Sequence, residues 1–71
     1  MIAAVRDRNI REIAKRKGLR LGELARAIGL HPTSFSKALA GQHELRPHTR
    51  ARLIEALGAS FDDIFEVRDR V

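Results

Sequence analysis

The stretch ELARAIGLHPTSFSKALAG, residues 23–41, decides the fold of this chain. Its apolar residues follow a helical period that stops at Gly29 and resumes after Pro32. Helices commonly end at a glycine in the left-handed conformation, and proline suits the first position of a helix. The pattern therefore predicts two helices joined by a tight corner, over about residues 21–28 and 32–40. His31 is the predicted N-cap of the second.

Three further helices are predicted around this pair. One runs over about residues 5–17, where Ile10, Ile13 and Ala14 are spaced for a single buried face and Gly18 follows as a stop. Another begins at Pro47 and ends at Gly58, and a short last helix follows residue 60. The sequence carries no strand signal of any length. We therefore expect an all-α domain of five helices that occupies residues 1–71.

Composition limits the classes of protein to consider. The chain has 71 residues and no cysteine, so neither a disulfide framework nor a thiolate metal site supplements its small core. No stretch reaches the length of a membrane span, and the first residues lack the apolar run of a signal peptide. These features favour a cytoplasmic protein. Nothing at Val71 marks a natural end, so the chain could also be one domain of a longer protein.

Charge is distributed unevenly along the chain. Residues 1–52 carry a balance of +8, whereas residues 53–71 carry −3, within a net charge of +5. A basic body with an acidic end favours a polyanionic partner for one face. Arginines that simply solvate helices are the alternative, and charge alone does not separate the two interpretations.

The outward face of the third predicted helix is unusual. Its inward face is formed by Phe35, Ala38 and Leu39, which leaves Thr33 and Lys37 pointing the opposite way. Short polar side chains with one cation are a poor choice for solubility alone, where Glu and Lys would serve better. This face is the candidate binding surface.

At this point the sequence resembles a known family. The runs LGELARAIGLHPTSFSKALAG (residues 21–41) and EALGASFDDIF (residues 55–65) are similar to the lambda-repressor and Cro-like (Xre-type) helix-turn-helix DNA-binding domains. The resemblance covers about residues 5–66. The stretch ELRPHTRARLIEAL also resembles lactose-repressor-type headpieces. Those normally lack a helix before the helix-turn-helix, so the Xre-type resemblance fits better.

The chain departs from the family pattern in two places. Many members carry Thr and Gln where this chain has Arg20 and Leu21, at the start of the second helix. Many also pair a buried Arg with a Glu at the positions of Ala14 and Leu39. Because both partners are apolar here, no buried charge is left unpaired.

The resemblance implies that the third helix enters the major groove. Thr33, Ser36 and Lys37 are then the predicted base-reading residues, since a lysine suits guanine and a threonine methyl suits thymine. Pro32 stands where many relatives carry a base-reading Gln. A solvated cation is the alternative for Lys37. The predicted phosphate contacts are Arg20, Ser34, Gln42, His43, Arg46, His48 and Arg50, with a salt bridge as the alternative for Arg50. Solubility or long-range steering is the expected role of Arg6, Arg8, Arg11, Arg16 and Arg26.

The acidic, apolar end predicts a second kind of contact. Family members commonly dimerise through this region, which implies a homodimer interface containing Phe65, Val67 and Val71. In the alternative, Phe61 and Phe65 only close the core of one chain. For Phe61 we favour the core, and for Phe65 the sequence leaves both open.

No cofactor, metal or small-molecule ligand is expected, and catalysis is not expected either. The spacing of His31, His43 and His48 places no two on one helix face, and no nucleophile with a base beside it is visible. The predicted function is a sequence-specific regulator of transcription that binds double-stranded DNA. We expect a repressor of near-palindromic operators. The rival hypotheses are a protein-interaction module, such as an antitoxin or adaptor, and a non-specific DNA-coating protein.

Overall fold

The computed structural model describes residues 2–68 and contains five helices and two short strands within that range. In chain order these are β1 (Ile2–Val5), α1 (Asp7–Arg16), α2 (Leu21–Ala27), α3 (Pro32–Leu39), α4 (Pro47–Leu57), α5 (Phe61–Ile64) and β2 (Phe65–Arg68). The five predicted helices are confirmed to within about two residues at each end. The expectation that the domain is all-α is wrong.

The two strands form an antiparallel ribbon that brings the chain ends together. Ile2 pairs with Arg68 and Val5 pairs with Phe65. The second strand, FEVR, does alternate apolar and charged residues, and Phe65 points into the core while Val67 is half exposed. Four residues are too few for this alternation to be distinguished in the sequence from a continuation of the preceding helix. Two Ala residues in β1 gave no strand signal at all, because alanine is depleted in strands.

The corner between α2 and α3 is built as the sequence predicts. Gly29 has a φ of +80°, its N–H donates to the Arg26 carbonyl at 3.1 Å, and the Leu30 N–H donates to the Ala25 carbonyl at 2.8 Å. These two bonds satisfy the last carbonyls of α2 in the arrangement known as a Schellman motif. The chain then leaves α2 in a fixed direction, with Leu30 packed against the core.

His31 starts α3 as predicted. Its Nδ1 accepts a hydrogen bond from the Thr33 backbone N–H at 3.2 Å, which satisfies one of the free donors at the start of the helix. Pro32 occupies the first helical position. At the other end Gly41 has a φ of +81°, so α3 ends as sharply as α2 does. The third helix is thus a short rod of eight residues, fixed at both ends.

The core is one cluster to which every helix contributes. Helix α2 packs against α1, α3 and α4, and α1 also packs against α5. Phe61 stacks on Phe65 with 5.0 Å between ring centroids, so the predicted core role of Phe61 is confirmed. Both Ala14 and Leu39, which replace the charge pair of many relatives, are buried. The apolar core residues are Ile10, Ala14, Leu24, Ala25, Ile28, Phe35, Ala38, Leu39, Leu45, Leu53, Leu57, Ile64 and Phe65.

Arg6 ties the ribbon to the helices. Its side-chain Nε donates to the carbonyls of Asp62 and Phe65, at 3.1 Å each. Its backbone N–H donates to the Ile64 carbonyl at 2.8 Å. A cation here also complements the negative end of α5. The expectation that Arg6 serves only solubility or steering is therefore corrected. The sequence shows only one more arginine in a basic segment, so this contact could not be read from it.

Candidate nucleic-acid interface

Helix α3 exposes the side chains that were predicted to read bases. Thr33, Ser36 and Lys37 are exposed, and Ser34 on the flank is exposed too. Phe35, Ala38 and Leu39 are buried on the opposite side, with at most 5% of their surface accessible. Because one side of this short helix is buried, the helix cannot rotate about its axis without exposing those apolar residues. The polar face is therefore held away from the core.

Lys37 is the one cation on this face. Its side chain forms no hydrogen bond or ion pair with any other residue in the range 2–68, and α3 carries no acidic residue in its first turn. An exposed ammonium without an internal partner stays free to donate to an acceptor on another molecule. Its neighbours at the preceding and following turns are the small residues Thr33 and Gly41. No large side chain of α3 therefore shields the Lys37 ammonium from another molecule that lies against this face.

The remaining predicted contacts lie around this face. Arg20 is exposed just before α2, where its backbone N–H donates to the Glu23 carboxylate at 3.2 Å. Gln42 and His43 are exposed in the loop after α3, and Arg46 and His48 are exposed at the start of α4. The first turn of α4 also has no acid. Helix N-termini without acids leave their backbone N–H groups favourable to anions.

Arg50 differs from the other predicted phosphate contacts. It is half-buried, and its Nη1 donates to the Leu45 carbonyl at 2.5 Å. The guanidinium therefore holds the loop that joins α3 to α4. No ion pair of Arg50 occurs among the described residues, so the salt bridge considered as its alternative is not formed there either. Arg50 thus has a loop-holding role, and its predicted phosphate contact stays a prediction.

Arg52 is a candidate contact that the sequence analysis missed. It lies one helical turn after His48 on α4, and both border a groove of about 370 Å³ beside the turn between α2 and α3. A Cβ on Gly29 would come within 2.9 Å of Arg52 Nη1, which shows how closely the guanidinium approaches this turn. The sequence could have indicated this contact, because Arg52 follows His48 by four residues and therefore lies on the same face of α4.

The surface around these groups is strongly basic. Between Leu24 and Ile54 the sequence has five Lys or Arg residues and a single acid, Glu44. Acids stand instead in the first turns of α1, α2 and α5. The Asp63 carboxylate on α5 accepts hydrogen bonds from Ser60, which hold its pKa below the ordinary value of 3.8. The first turns of α3 and α4 thus differ from those of the other three helices in carrying no acid.

The residues predicted for a dimer interface divide into three cases. Phe65 is 1% exposed and fills the core of its own chain, so it offers no side-chain surface to a partner, and its predicted interface role is corrected. Val67 is half exposed, and among the described residues it is the one large apolar side chain that is exposed. Val71 lies outside the described residues.

Comparison with known proteins agrees with this architecture. A family model described as a helix-turn-helix domain matches residues 8–65, which is most of the chain. The chain belongs to the helix-turn-helix family. Its predicted kinship with Xre-like DNA-binding domains of that type is confirmed. No curated protein matches the chain.

Two solved structures of the clp gene regulator ClgR from Corynebacterium glutamicum are similar to this helix-turn-helix domain. Both are 33% identical in sequence over 80% of the chain, with TM-scores of 0.69 and 0.65. The chain spans 61% of the length of the first ClgR chain and 74% of the second. ClgR therefore contains further residues that have no counterpart in the match.

Neither a membrane-spanning helix nor a metal site is found among the described residues. No helix of residues 2–68 is long and apolar enough to cross a membrane. Within the same range, no group of three or more His, Cys, Asp or Glu side chains is placed to hold a metal ion. The exposed polar face of α3 and its basic surroundings are the best-defined candidate site.

Proposed function

We propose that this chain is a transcriptional regulator without enzymatic activity that binds double-stranded DNA with sequence specificity. It acts as a repressor on a near-palindromic operator, and α3 reads the bases in the major groove. The single observation that carries the proposal is the outward polar face of α3, opposite a buried apolar face. Family membership and similarity to a solved gene regulator support it.

Base reading is assigned to three side chains on this face. Lys37 donates to the O6 and N7 atoms of guanine, and the Thr33 methyl contacts a thymine methyl. Ser36 supplies a hydroxyl that donates or accepts. Because these side chains are short or slender, the helix backbone can approach the base edges closely. Pro32, which has no donor, takes no part in base reading.

Phosphate contacts supply most of the affinity in this proposal. The exposed groups on both sides of α3 that fit this role are Arg20, Ser34, Gln42, His43, Arg46 and His48. We add Arg52, which borders the same groove as Arg46 and His48. Neutralising DNA phosphates releases counterions, so the affinity is expected to fall steeply with salt concentration.

A protein-interaction module on the same fold is the second candidate. Leu21 and Pro32 favour it, because they stand where many relatives carry polar DNA contacts. The half-exposed Val67 offers such a module an apolar contact surface. This candidate predicts weak DNA binding without base preference.

Selection of preferred duplexes from a random DNA pool tests the proposal. We expect enrichment of one sequence with two related half-sites about one helical turn apart. The enriched duplex then competes against its scrambled sequence over a range of salt concentrations. Equal binding to both sequences at every salt concentration contradicts base reading and leaves the non-specific or protein-binding alternatives.

A further inference from the structure

Thr33 is not the residue that helix stability alone would favour at its place in α3. It is the second residue of the helix and is exposed, so the core does not require its shape. A β-branched side chain loses rotational freedom in a helix, and an acid in the first turn suits the helix dipole better. The first turn of α3 carries no acid. The threonine therefore needs an explanation outside the stability of α3.

The side chain of Thr33 offers two different groups to another molecule. Its branched Cβ carries a methyl and a hydroxyl side by side. The backbone N–H of Thr33 donates to His31, whereas its hydroxyl forms no hydrogen bond with any residue in the range 2–68. A hydroxyl donates one hydrogen bond and also accepts. Thr33 thus combines a methyl for an apolar contact with a hydroxyl that suits either a donor or an acceptor.

The base edges in the major groove carry one kind of apolar group that a methyl can contact. They display acceptors and amino donors, and beside these the C5-methyl of thymine, which adjoins the O4 acceptor. 5-Methylcytosine has the same C5-methyl, but it adjoins the N4 amino donor of cytosine. The two groups of Thr33 match both bases, because its hydroxyl donates to O4 in one and accepts from N4 in the other.

We propose that Thr33 reads the C5-methyl group of a pyrimidine, so that this chain recognises 5-methylcytosine in the place of thymine. The inference rests on the proposed function, in which Thr33 faces a thymine, and it names the chemical class of base that is read there. Uracil and unmethylated cytosine lack the methyl group and are bound more weakly. Methylation of a cytosine at this place therefore strengthens binding, which makes the regulator responsive to DNA methylation.

The place of this pyrimidine in the site follows from the spacing of residues on α3. Lys37 lies one helical turn after Thr33 on the same exposed face, about 6 Å further along the helix axis. Successive base pairs are about 3.4 Å apart. The pyrimidine that Thr33 reads therefore lies about two base pairs from the guanine that Lys37 reads. The guanine whose preference is lost in Lys37→Ala thus locates the pyrimidine.

Four duplexes that differ only at this base pair of one half-site test the proposal. They carry thymine or uracil opposite adenine, and 5-methylcytosine or cytosine opposite guanine, in an otherwise unchanged selected sequence. Within each pair of duplexes the only difference is one methyl group. We expect this methyl to strengthen binding of the wild-type chain by about three- to tenfold in both pairs, as measured by fluorescence anisotropy.

Two substitutions separate the methyl of Thr33 from its hydroxyl. Thr33→Ser keeps the hydroxyl and should reduce the methyl effect in both pairs to less than about twofold. Thr33→Val keeps the methyl and should retain the effect in both pairs. Ser34→Ala is the matched control, because Ser34 is the neighbouring exposed hydroxyl residue on the flank of α3, and both effects should stay unchanged in it. Thermal unfolding confirms that each variant is folded.

The results also separate this inference from the proposed function. A methyl effect that is confined to the thymine pair, or that persists in Thr33→Ser, overturns the proposal. If the wild type prefers the selected sequence but shows no methyl effect in either pair, the inference fails and the proposed function stands. If the wild type binds the selected and scrambled sequences equally, the proposed function itself is refuted.

Discussion

Replacing Arg6 tests whether a single arginine fastens the terminal ribbon to the helices. In Arg6→Ala, the carbonyls of Asp62 and Phe65 lose the Nε donor that lies 3.1 Å from each. The Phe65 carbonyl is partly buried, so water replaces the lost bond incompletely. Arg8→Ala is the matched control, because Arg8 is exposed on α1 and its side chain has no hydrogen bond or ion pair among the described residues.

The size of the effect follows from the geometry. A hydrogen bond from a charged donor contributes about 1.5–3 kcal/mol, and here one exposed N–H is shared between two acceptors, which favours the lower part of that range. We expect Arg6→Ala to reduce the free energy of unfolding by about 1–2 kcal/mol. For a domain of this size, that lowers the melting temperature by about 5–15 °C.

Urea unfolding followed by circular dichroism measures both variants. Arg8→Ala should change the free energy of unfolding by no more than about 0.5 kcal/mol, as is usual for surface positions. Arg6→Lys keeps the charge but loses the planar donor, and we expect it to fall between the wild type and Arg6→Ala. If Arg6→Ala and Arg8→Ala unfold at the same urea concentration, the two hydrogen bonds do not stabilise the fold.

Substitutions at four other positions test the helix ends. His31→Ala should cost about 0.5–1 kcal/mol of unfolding free energy in a urea titration, whereas His31→Asn should cost nothing, because asparagine is a good N-cap. Hydrogen bonds from Ser60 lower the pKa of Asp63, so this carboxylate contributes stability above pH 3.8 that is lost as the pH falls through its lowered folded value. The stability difference between wild type and Asp63→Asn should therefore disappear in acid, and a constant difference would contradict this. Gly29→Ala and Gly41→Ala should each cost about 1–2 kcal/mol for their left-handed conformations, and an unchanged melting temperature would exclude that strain.

The corner between α2 and α3 could be predicted from the sequence because local chemistry determines it. Gly29 takes a left-handed conformation and Pro32 a first helical position almost regardless of the surroundings, and His31 has a backbone N–H within reach. The exposed face of α3 followed from the same reasoning, since burying Phe35 fixes the orientation of so short a helix.

The terminal ribbon and the arginine contacts could not be predicted, because they depend on residues distant in sequence. β1 and β2 pair across about sixty residues, and each is too short to show a clear period. Arg6 and Arg50 look like other basic residues until the fold brings carbonyl groups to them. Phe65 was ambiguous because an apolar residue near a chain end suits a core and an interface equally.

The most direct test of the account is the base preference of α3 variants on the selected duplex. Lys37→Ala should weaken binding to the preferred sequence by the equivalent of about 1–3 kcal/mol and relax the preference at one guanine. Thr33→Ala should relax the preference at a thymine. Lys15→Ala, which removes an exposed cation from α1, should leave base preference unchanged. Unaltered affinity and unaltered base preference in both α3 variants would contradict the central claim that this face reads DNA.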